Sequence, residues 1–278
     1  MSEAAGYYLG VDVGSVSVDI AVLDPSGKIL EARYLRHGGR PIQVAGRALR
    51  ETVEKYGAGN IVGIAATGNA GRLVAAKVGA GFVNEVVAQS TATGELHPQV
   101  RTIIEIGGED SKLIFLRERQ PGQTETEVAD FAMNAMCAAG TGSFLDQQAN
   151  RMGLSIEDFG QIALRSQHPP RVAGRCSVFA KSDMIHLQQL ATPVEDIIAG
   201  LCYALVRNFK ATVGSARDLV PPVSFQGGVA ANPAIIRAIR DIYELADDQL
   251  VIPEHFGCMG AIGAALRGIR DGLPAPRL

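Results

Sequence analysis

The amino-acid sequence predicts an α/β protein built by duplication, with two mixed α/β halves that each open with a β-hairpin. An acid-x-Gly turn followed by an apolar strand occurs at residues 12–23 and again at residues 105–116, 93 residues further on without a gap. A late strand at residues 223–226 ends in two glycines and resembles an earlier strand that ends in Thr67-Gly68. Together these observations indicate one structural unit that is present twice.

Apolar runs and turn signals predict the elements of the first half in order. Two strands flank a tight turn at residues 14–16, and a third strand follows the turn signal of residues 24–27. Helical periodicity then places Ile42, Ala45 and Leu49 on one face. The predicted elements are strands at residues 7–13, 17–23, 28–35 and 61–66, and helices at residues 41–56, 70–79 and 84–95.

The second half repeats the hairpin and then adds helices. A long helical insertion is predicted at about residues 142–216, and a last helix rich in alanine and glycine at residues 259–269. We therefore predict a first α/β half at residues 1–97 and a second α/β half, which contains the helical insertion, at residues 98–278. The predicted strands of the second half are residues 102–106, 112–116 and 223–226.

The composition argues against several classes of function. The 278 residues are 47% apolar with a net charge of −3, so the chain can bury a core but offers no bulk positive charge to nucleic acid. No apolar run approaches the ~20 residues that span a bilayer, and the first residues lack a signal-peptide pattern. We expect a cytoplasmic protein that binds neither nucleic acid nor membrane.

The first hairpin carries a polar turn that suits a phosphate group. Asp12 ends the first strand, and Gly14, Ser15 and Ser17 follow it. Glycine lets the backbone approach a phosphate, and turn amides and hydroxyls can donate hydrogen bonds to its oxygens. A carboxylate at the strand end can hold Mg²⁺ through water. Alone, the pattern also fits an ordinary hairpin with polar turn residues.

The second hairpin repeats the acid and the glycine turn. Glu105 ends its first strand, Gly107 and Gly108 form the turn, and Asp110 adds another carboxylate. Two such hairpins that face each other across a cleft would hold a polyphosphate from both sides. The repetition therefore favours a nucleotide site over a simple hairpin turn.

A third glycine junction completes a recognisable set. The strand at residues 223–226 runs through Gly227 and Gly228 toward a helix, with Asn232 near the helix N-terminus. The three junctions resemble the two phosphate motifs and the adenosine motif of the acetate kinase, sugar kinase, heat-shock chaperone and actin superfamily. That resemblance implies a duplicated ribonuclease-H-like ATPase fold that binds ATP or ADP with Mg²⁺. Neither the P-loop pattern GxxxxGK[ST] nor the dinucleotide pattern GxGxxG occurs.

Two cysteines stand directly before helical patterns. Cys137 lies in NAMCAAGTGSFLD and Cys176 in GRCSVFAKSD. A helix N-terminus stabilises a thiolate, which is a good ligand for a metal or cluster. Two ligands per chain are too few for an iron–sulfur cluster that takes four, but a symmetric dimer doubles them. A buried structural role is the other interpretation, and it is the one we favour for Cys202 and Cys258.

A closer resemblance rests on five blocks together. VDVGSVS, IGGEDSK, NAMCAAGTGSFLD, GRCSVFAKSD and FQGGVAAN resemble the ATP-dependent activators of 2-hydroxyacyl-CoA dehydratases, which belong with the ATPase subunits of benzoyl-CoA reductase. The resemblance covers about residues 7–270, and the cysteine blocks are its specific part. It implies a homodimer with one bridging 4Fe–4S cluster, with Cys137 and Cys176 as ligands. It also implies that ATP hydrolysis drives a low-potential electron from ferredoxin or flavodoxin into a partner dehydratase or a similar acceptor enzyme.

The expected active site combines these motifs. Asp12 and Glu105 would position the waters of Mg²⁺, and Asp110 or Glu105 would orient the attacking water. The chain departs from the commonest family pattern at Asp19, where many members carry Lys, and at residues 69–72. The expected ATP-binding residues are Gly14, Ser15, Ser17, Gly107, Gly108, Gly227, Gly228 and Asn232.

Two other functions remain compatible with the sequence. A small-metabolite kinase of the same superfamily would need a pocket for a hydroxyl-bearing substrate and a catalytic base, and would have no use for cysteines at helix starts. A nucleotide-gated module without redox chemistry would hydrolyse ATP without an electron donor. Counting iron and acid-labile sulfide separates both from the electron-transfer ATPase.

Overall fold

The strands form two five-stranded sheets in a computed structural model that describes residues 6–120, 122–134, 138–174, 176–215 and 217–272. The first sheet has the order β3-β2-β1-β4-β5 and the second the order β10-β9-β6-β7-β8. The strands are β1 (Tyr7–Val13), β2 (Ser17–Leu23), β3 (Ile29–Arg36), β4 (Ile61–Thr67), β5 (Gly81–Phe82), β6 (Thr102–Ile106), β7 (Ser111–Leu116), β8 (Val128–Asn134), β9 (Val223–Gln226) and β10 (Leu250–Val251).

The two sheets share one topology, which confirms the predicted duplication. Read from β8, the second sheet repeats the order of the first strand for strand. β1 pairs with β2 antiparallel and with β4 parallel, and β6 pairs in the same way with β7 and β9. The last strand of each sheet is parallel to its neighbour. The fold is therefore the predicted duplicated α/β fold.

Nine helices are described around these strands. The region predicted as a helical insertion at residues 142–216 contains four of them, α4 to α7. The described part of the chain contains no helix that is both long and apolar enough to cross a membrane. The helices are α1 (Pro41–Tyr56), α2 (Gly71–Val78), α3 (Glu85–Leu96), α4 (Gly142–Met152), α5 (Ile156–Ala163), α6 (Ser177–Gln189), α7 (Val194–Thr212), α8 (Pro233–Tyr243) and α9 (Met259–Asp271).

The chain divides into two compact units, and the division differs from the expected boundary at residue 97. The last helix packs on the first sheet, because glycines let the backbones meet: a Cβ at position 10 would lie only 1.7 Å from the carbonyl oxygen of Ala261. The first unit comprises the described residues within Met1–Val100, Leu116–Ala129 and Gly257–Leu278, and the second those within Arg101–Phe115 and Asp130–Phe256.

Each unit has its own core. In the first, the buried side chains Leu9 and Val11 of β1 pack with Ala45 and Leu49 of α1. In the second, the apolar residues of α7 lie at the centre, with Leu201 and Leu205 fully buried. Burying this apolar area is the main stabilising contribution, and it fixes the strand ends that carry the polar motifs.

The strands β5, β8 and β10 were not predicted from the sequence. β5 and β10 have two residues each, too short for a detectable apolar period. β8 is an edge strand, and its apolar side chains Phe131 and Met133 are exposed. Asp130 of the same strand forms an ion pair with Arg217. Its apolar residues therefore do not lie on a buried face, so they do not show the alternation of apolar and polar residues that predicts a strand.

Candidate functional site

The first predicted phosphate turn is a tight hairpin held by its own backbone. The amide of Gly14 donates to the carbonyl oxygen of Ser17 at 3.0 Å, closing the turn between β1 and β2. His37 supports the turn from β3's end, because its amide donates to the Val16 carbonyl and its Nε2 lies 3.3 Å from the Gly14 carbonyl oxygen. A Cβ at position 14 would be in ordinary contact with the protein, 3.6 Å from Ser17 O. Packing within the chain therefore leaves space beside Gly14, as a bound phosphate would need.

Asp12 lies in a narrow space between backbone segments of the first unit. A Cβ at position 68 would lie 2.3 Å from Asp12 Oδ1, and one at position 260 would lie 2.0 Å from Asp12 Oδ2. Gly68 has φ +86°, and Gly260 is in the first turn of α9. A carboxylate beside a helix N-terminus is electrostatically favourable. The two glycines thus allow Asp12 to stay buried at the end of β1.

The second hairpin contains a buried lysine that the sequence analysis did not assign to the site. Lys112 is 1% exposed, and its Nζ lies 3.0 Å from Glu105 Oε2 and 2.8 Å from Asp110 Oδ2. Lys112 is the cross-strand partner of Glu105 in the β6/β7 ladder. The available signal was the 93-residue repeat, which places Lys112 opposite Glu105 as it places Asp19 opposite Asp12.

The helix that follows the first cysteine motif is bonded directly to the second phosphate turn. The amide of Gly142 donates to the carbonyl of Gly107 and the amide of Ser143 to the carbonyl of Gly108, both at 2.8 Å. The amides at the start of α4 therefore find their acceptors in the turn, which satisfies otherwise unpaired helix donors. A change in the Gly107-Gly108 backbone would be transmitted to α4 without an intervening side chain.

The third glycine junction, Gly227-Gly228, lies against the hairpin of β6 and β7. Gly227 has φ +89°, and a Cβ there would lie 2.5 Å from the Ile106 carbonyl oxygen and 2.8 Å from Glu105 Oε1. After this junction Asn232 caps α8, since its Oδ1 accepts from the amides of Ala234 and Ile235. Its Nδ2 is buried and has no hydrogen-bond partner among the described residues.

The cysteines differ in how accessible they are. Cys137 lies outside the described residues, so its predicted ligand role stays a prediction. Cys176 is the N-cap of α6 and only half-buried. Cys202 is fully buried in α7, and burial raises the pKa of its thiol to about 12. Burial, with the charges of Asp19 and Asp12, also raises the pKa of the Cys258 thiol. These two are core thiols, as predicted.

The predicted site residues fall into two groups, one in each unit. Asp12, Gly14, Ser15 and Ser17 share the first hairpin. Those of the second unit gather around its hairpin: Glu105, Gly107, Gly108, Asp110, Gly227, Gly228 and, after a short 3-10 turn, Asn232.

Comparison with known proteins gives one family and one fold. The BadF/BadG/BcrA/BcrD ATPase family model matches residues 9–268. A 2-hydroxyisocaproyl-CoA dehydratase activator of Clostridioides difficile is 31% identical over 94% of this chain and 94% of its own length. A solved structure of an activator of the 2-hydroxyisocaproyl-CoA dehydratase from Clostridium difficile with bound ADPNP covers 95% of both chains at 28% identity, with a TM-score of 0.83.

A more distant structure shows that the fold extends to sugar kinases. A ROK family glucokinase from Streptomyces griseus, in complex with glucose and AMPPNP, covers 94% of this chain and 99% of its own chain with a TM-score of 0.50. Its identity of 14% relates the two proteins by fold alone. The predicted fold and the predicted closer family are both confirmed.

Proposed function

Because the chain belongs to the BadF/BadG/BcrA/BcrD ATPase family, we propose that it is an ATPase that drives single-electron transfer into a partner enzyme. The acceptor is a 2-hydroxyacyl-CoA dehydratase or a related reductase, and the donor is a reduced ferredoxin or flavodoxin. The name of the Clostridioides difficile relative supports this acceptor class. Cys137 and Cys176 of the two protomers of a homodimer would hold a 4Fe–4S cluster, which would supply the one-electron redox chemistry.

One observation supports a coupling between the bound nucleotide and the proposed cluster. The amides of Gly142 and Ser143, at the start of the helix that follows Cys137, donate to the carbonyls of the predicted phosphate turn. Any rearrangement of that turn when a γ-phosphate is lost changes the acceptors of these two amides. The helix start, and with it the adjoining cysteine segment, therefore responds to the nucleotide state. A coupling of this kind does work only if ATP and ADP favour different conformations.

The residues present fit ATP with Mg²⁺. Asp12 and Glu105 end equivalent strands, and each offers a carboxylate to the waters of the metal. Asp110 or Glu105 orients the attacking water, with Lys112 holding both carboxylates in place. Gly14, Ser15 and Ser17 bind phosphate in the first unit, as Gly107 and Gly108 do in the second. Gly227, Gly228 and Asn232 line the adenosine, as the resemblance implies.

Among the described cysteines, Cys176 fits the role of a ligand to a shared cluster. A 4Fe–4S cluster supplies one-electron redox chemistry and takes four thiolates. Cys176 is accessible, whereas Cys202 and Cys258 are not, so with Cys137 the chain offers two ligands and a dimer four. Directly after Cys176, α6 exposes Val178 (62%) and Phe179 (66%). Large exposed apolar side chains are typical of surfaces that are covered in an assembly.

The test is the iron and acid-labile sulfide content of the anaerobically purified protein, together with its visible spectrum and its mass in solution. We expect a brown dimer with about four irons. Cys176→Ser should lose the iron and keep nucleotide binding, because Cys176 caps α6 and is not one of the expected ATP-binding residues. Cys202→Ala is the matched control and should keep the iron.

Two outcomes would contradict the proposal. Full iron content in Cys176→Ser would remove this residue as a ligand. A wild-type protein that stays colourless after anaerobic reconstitution would leave the ATPase fold and favour a small-metabolite kinase or a nucleotide-gated module. A sugar-dependent ATP turnover would then identify the kinase.

A further inference from the structure

We propose that His37 is a positioning residue of the first hairpin, which turns the amides of Ser15 and Ser17 toward a bound phosphate group of the nucleotide. The proposal rests on the phosphate-binding role proposed above for this turn, and it names the residue that holds the turn in its binding conformation. The sequence motifs do not include His37, which directly follows β3.

The imidazole of His37 is buried, and both of its ring nitrogens have hydrogen-bond partners. The residue is only 6% exposed. The amide of Gly39 donates to Nδ1 at 3.1 Å, so Nδ1 is the acceptor nitrogen of a neutral ring. Nε2 therefore carries the ring proton, and it donates to the carbonyl oxygen of Gly14 at 3.3 Å. The contacts of the ring thus select one tautomer.

The backbone of His37 holds a second carbonyl of the same turn. Its amide donates to the carbonyl oxygen of Val16 at 3.0 Å, which continues the pairing of β2 with β3 by one residue. The carbonyls of Gly14 and Val16 are therefore both directed at His37. In a trans peptide unit the carbonyl and the amide point in opposite directions. The amides of Ser15 and Ser17, which follow these two carbonyls, therefore point away from His37.

The turn has both a donor and room for an anion. The amide of Ser15 donates to no group among the residues that the structure describes. Apart from the chain neighbours of Gly14, a Cβ at this position would have only the Ser17 carbonyl oxygen within 4 Å, at 3.6 Å. Successive amides on one side of a turn form an anion-binding concavity. Because His37 fixes the two carbonyls before a phosphate arrives, less ordering is needed when it binds.

Few side chains can replace the two ring contacts of His37. The side chain must accept from one amide and donate to one carbonyl at the same time, and a neutral imidazole does both. In His37→Gln the side-chain amide also offers an acceptor oxygen and a donor nitrogen, whereas His37→Phe keeps a ring without any hydrogen-bonding atom. The two variants therefore separate hydrogen bonding from the filling of space at this position.

The test is the affinity of the full chain for ADPNP with Mg²⁺, measured by titration calorimetry. His37→Phe should bind ADPNP about tenfold more weakly than the wild type, which is the effect of about one hydrogen bond. His37→Gln should recover most of the affinity. The control is Thr52→Ala in α1 of the same unit, which removes a buried hydroxyl that donates to the Ala48 carbonyl at 2.7 Å. It should lower the melting temperature without weakening ADPNP binding.

A second readout follows the two amides directly. In the ¹⁵N-labelled protein, the amide resonances of Ser15 and Ser17 should shift when ADPNP binds, and they should shift less in His37→Phe. Wild-type ADPNP affinity in His37→Phe, or wild-type amides that do not shift, overturns the role of His37. An equal loss of affinity in Thr52→Ala also overturns it, because general destabilisation then explains both variants.

The same experiment separates this role from the proposed function. A wild-type protein that binds no ADPNP overturns both the role of His37 and the proposed ATPase. The expected ADPNP results in a protein that holds no iron overturn the electron-transfer function and support the role of His37.

Discussion

The two hairpins of the duplicated fold share a backbone and differ in their buried charges. In the second, Glu105 faces Lys112 across the ladder, and Lys112 also contacts Asp110. In the first, Asp12 faces a second acid, Asp19. The register of the strands is the same, so one cross-strand position decides whether the acid faces a lysine or a second acid. Duplication preserved the backbone frame while the chemistry at this position diverged.

The largest expected effect comes from removing the internal cation. Lys112→Met leaves Glu105 and Asp110 buried without their shared counter-charge, so we expect a loss of about 3–5 kcal/mol in unfolding free energy. Urea unfolding followed by circular dichroism measures it. Arg117→Met, which removes a cation from an exposed pair with Glu127, should change the midpoint little. A similar small change in Lys112→Met would show that the second hairpin does not depend on its ion pair.

A smaller effect is expected at the glycine that directly follows the fourth strand of each sheet in chain order, Gly68 after β4 and Gly227 after β9. Gly227→Ala forces a conformation with φ +89° and ψ +169°, and brings a methyl group to 2.5 Å from the Ile106 carbonyl. Strain of this kind costs about 1–3 kcal/mol before the steric clash is added. Gly68→Ala, at φ +86° and 2.3 Å from Asp12 Oδ1, should lose a comparable amount.

Gly153→Ala is the control for strain without a clash. Gly153 has φ +69° and no atom within 4 Å of an added Cβ, so its loss should stay near the 1–2 kcal/mol of a left-handed residue. Thermal unfolding compares the three variants. If Gly68→Ala were as mild as Gly153→Ala while Gly227→Ala were severe, the two junctions would not be structurally equivalent.

The smallest expected effect concerns the helix after each junction. Asn232 caps α8 with its side chain, whereas Ala70 at the start of α2 has no side-chain cap. Asn232→Ala should cost about 1 kcal/mol, and Asn232→Ser should keep most of the cap. Chemical denaturation of both variants measures the difference. Equal stability of the two would show that the cap contributes little beyond the packing of α8.

Much of the fold and part of the site follow from the sequence. β1 and β2 begin and end at the predicted residues, and Cys202 and Cys258 are buried as predicted. Apolar runs and glycine turns are local signals, which explains this success. Lys112 was missed because a lysine at a strand start is usually solvated, and only the ladder shows it buried against two acids.

The sequence alone determined the duplication, the family and the order of the motifs, because these are written in residue types and their spacing. The tertiary structure decided which distant segments meet. It placed α9 on the first sheet beside Asp12, and it bonded the start of α4 to the carbonyls of Gly107 and Gly108. Such contacts are selected by packing and by the pairing of buried polar groups across long stretches of chain, and local patterns carry no record of them.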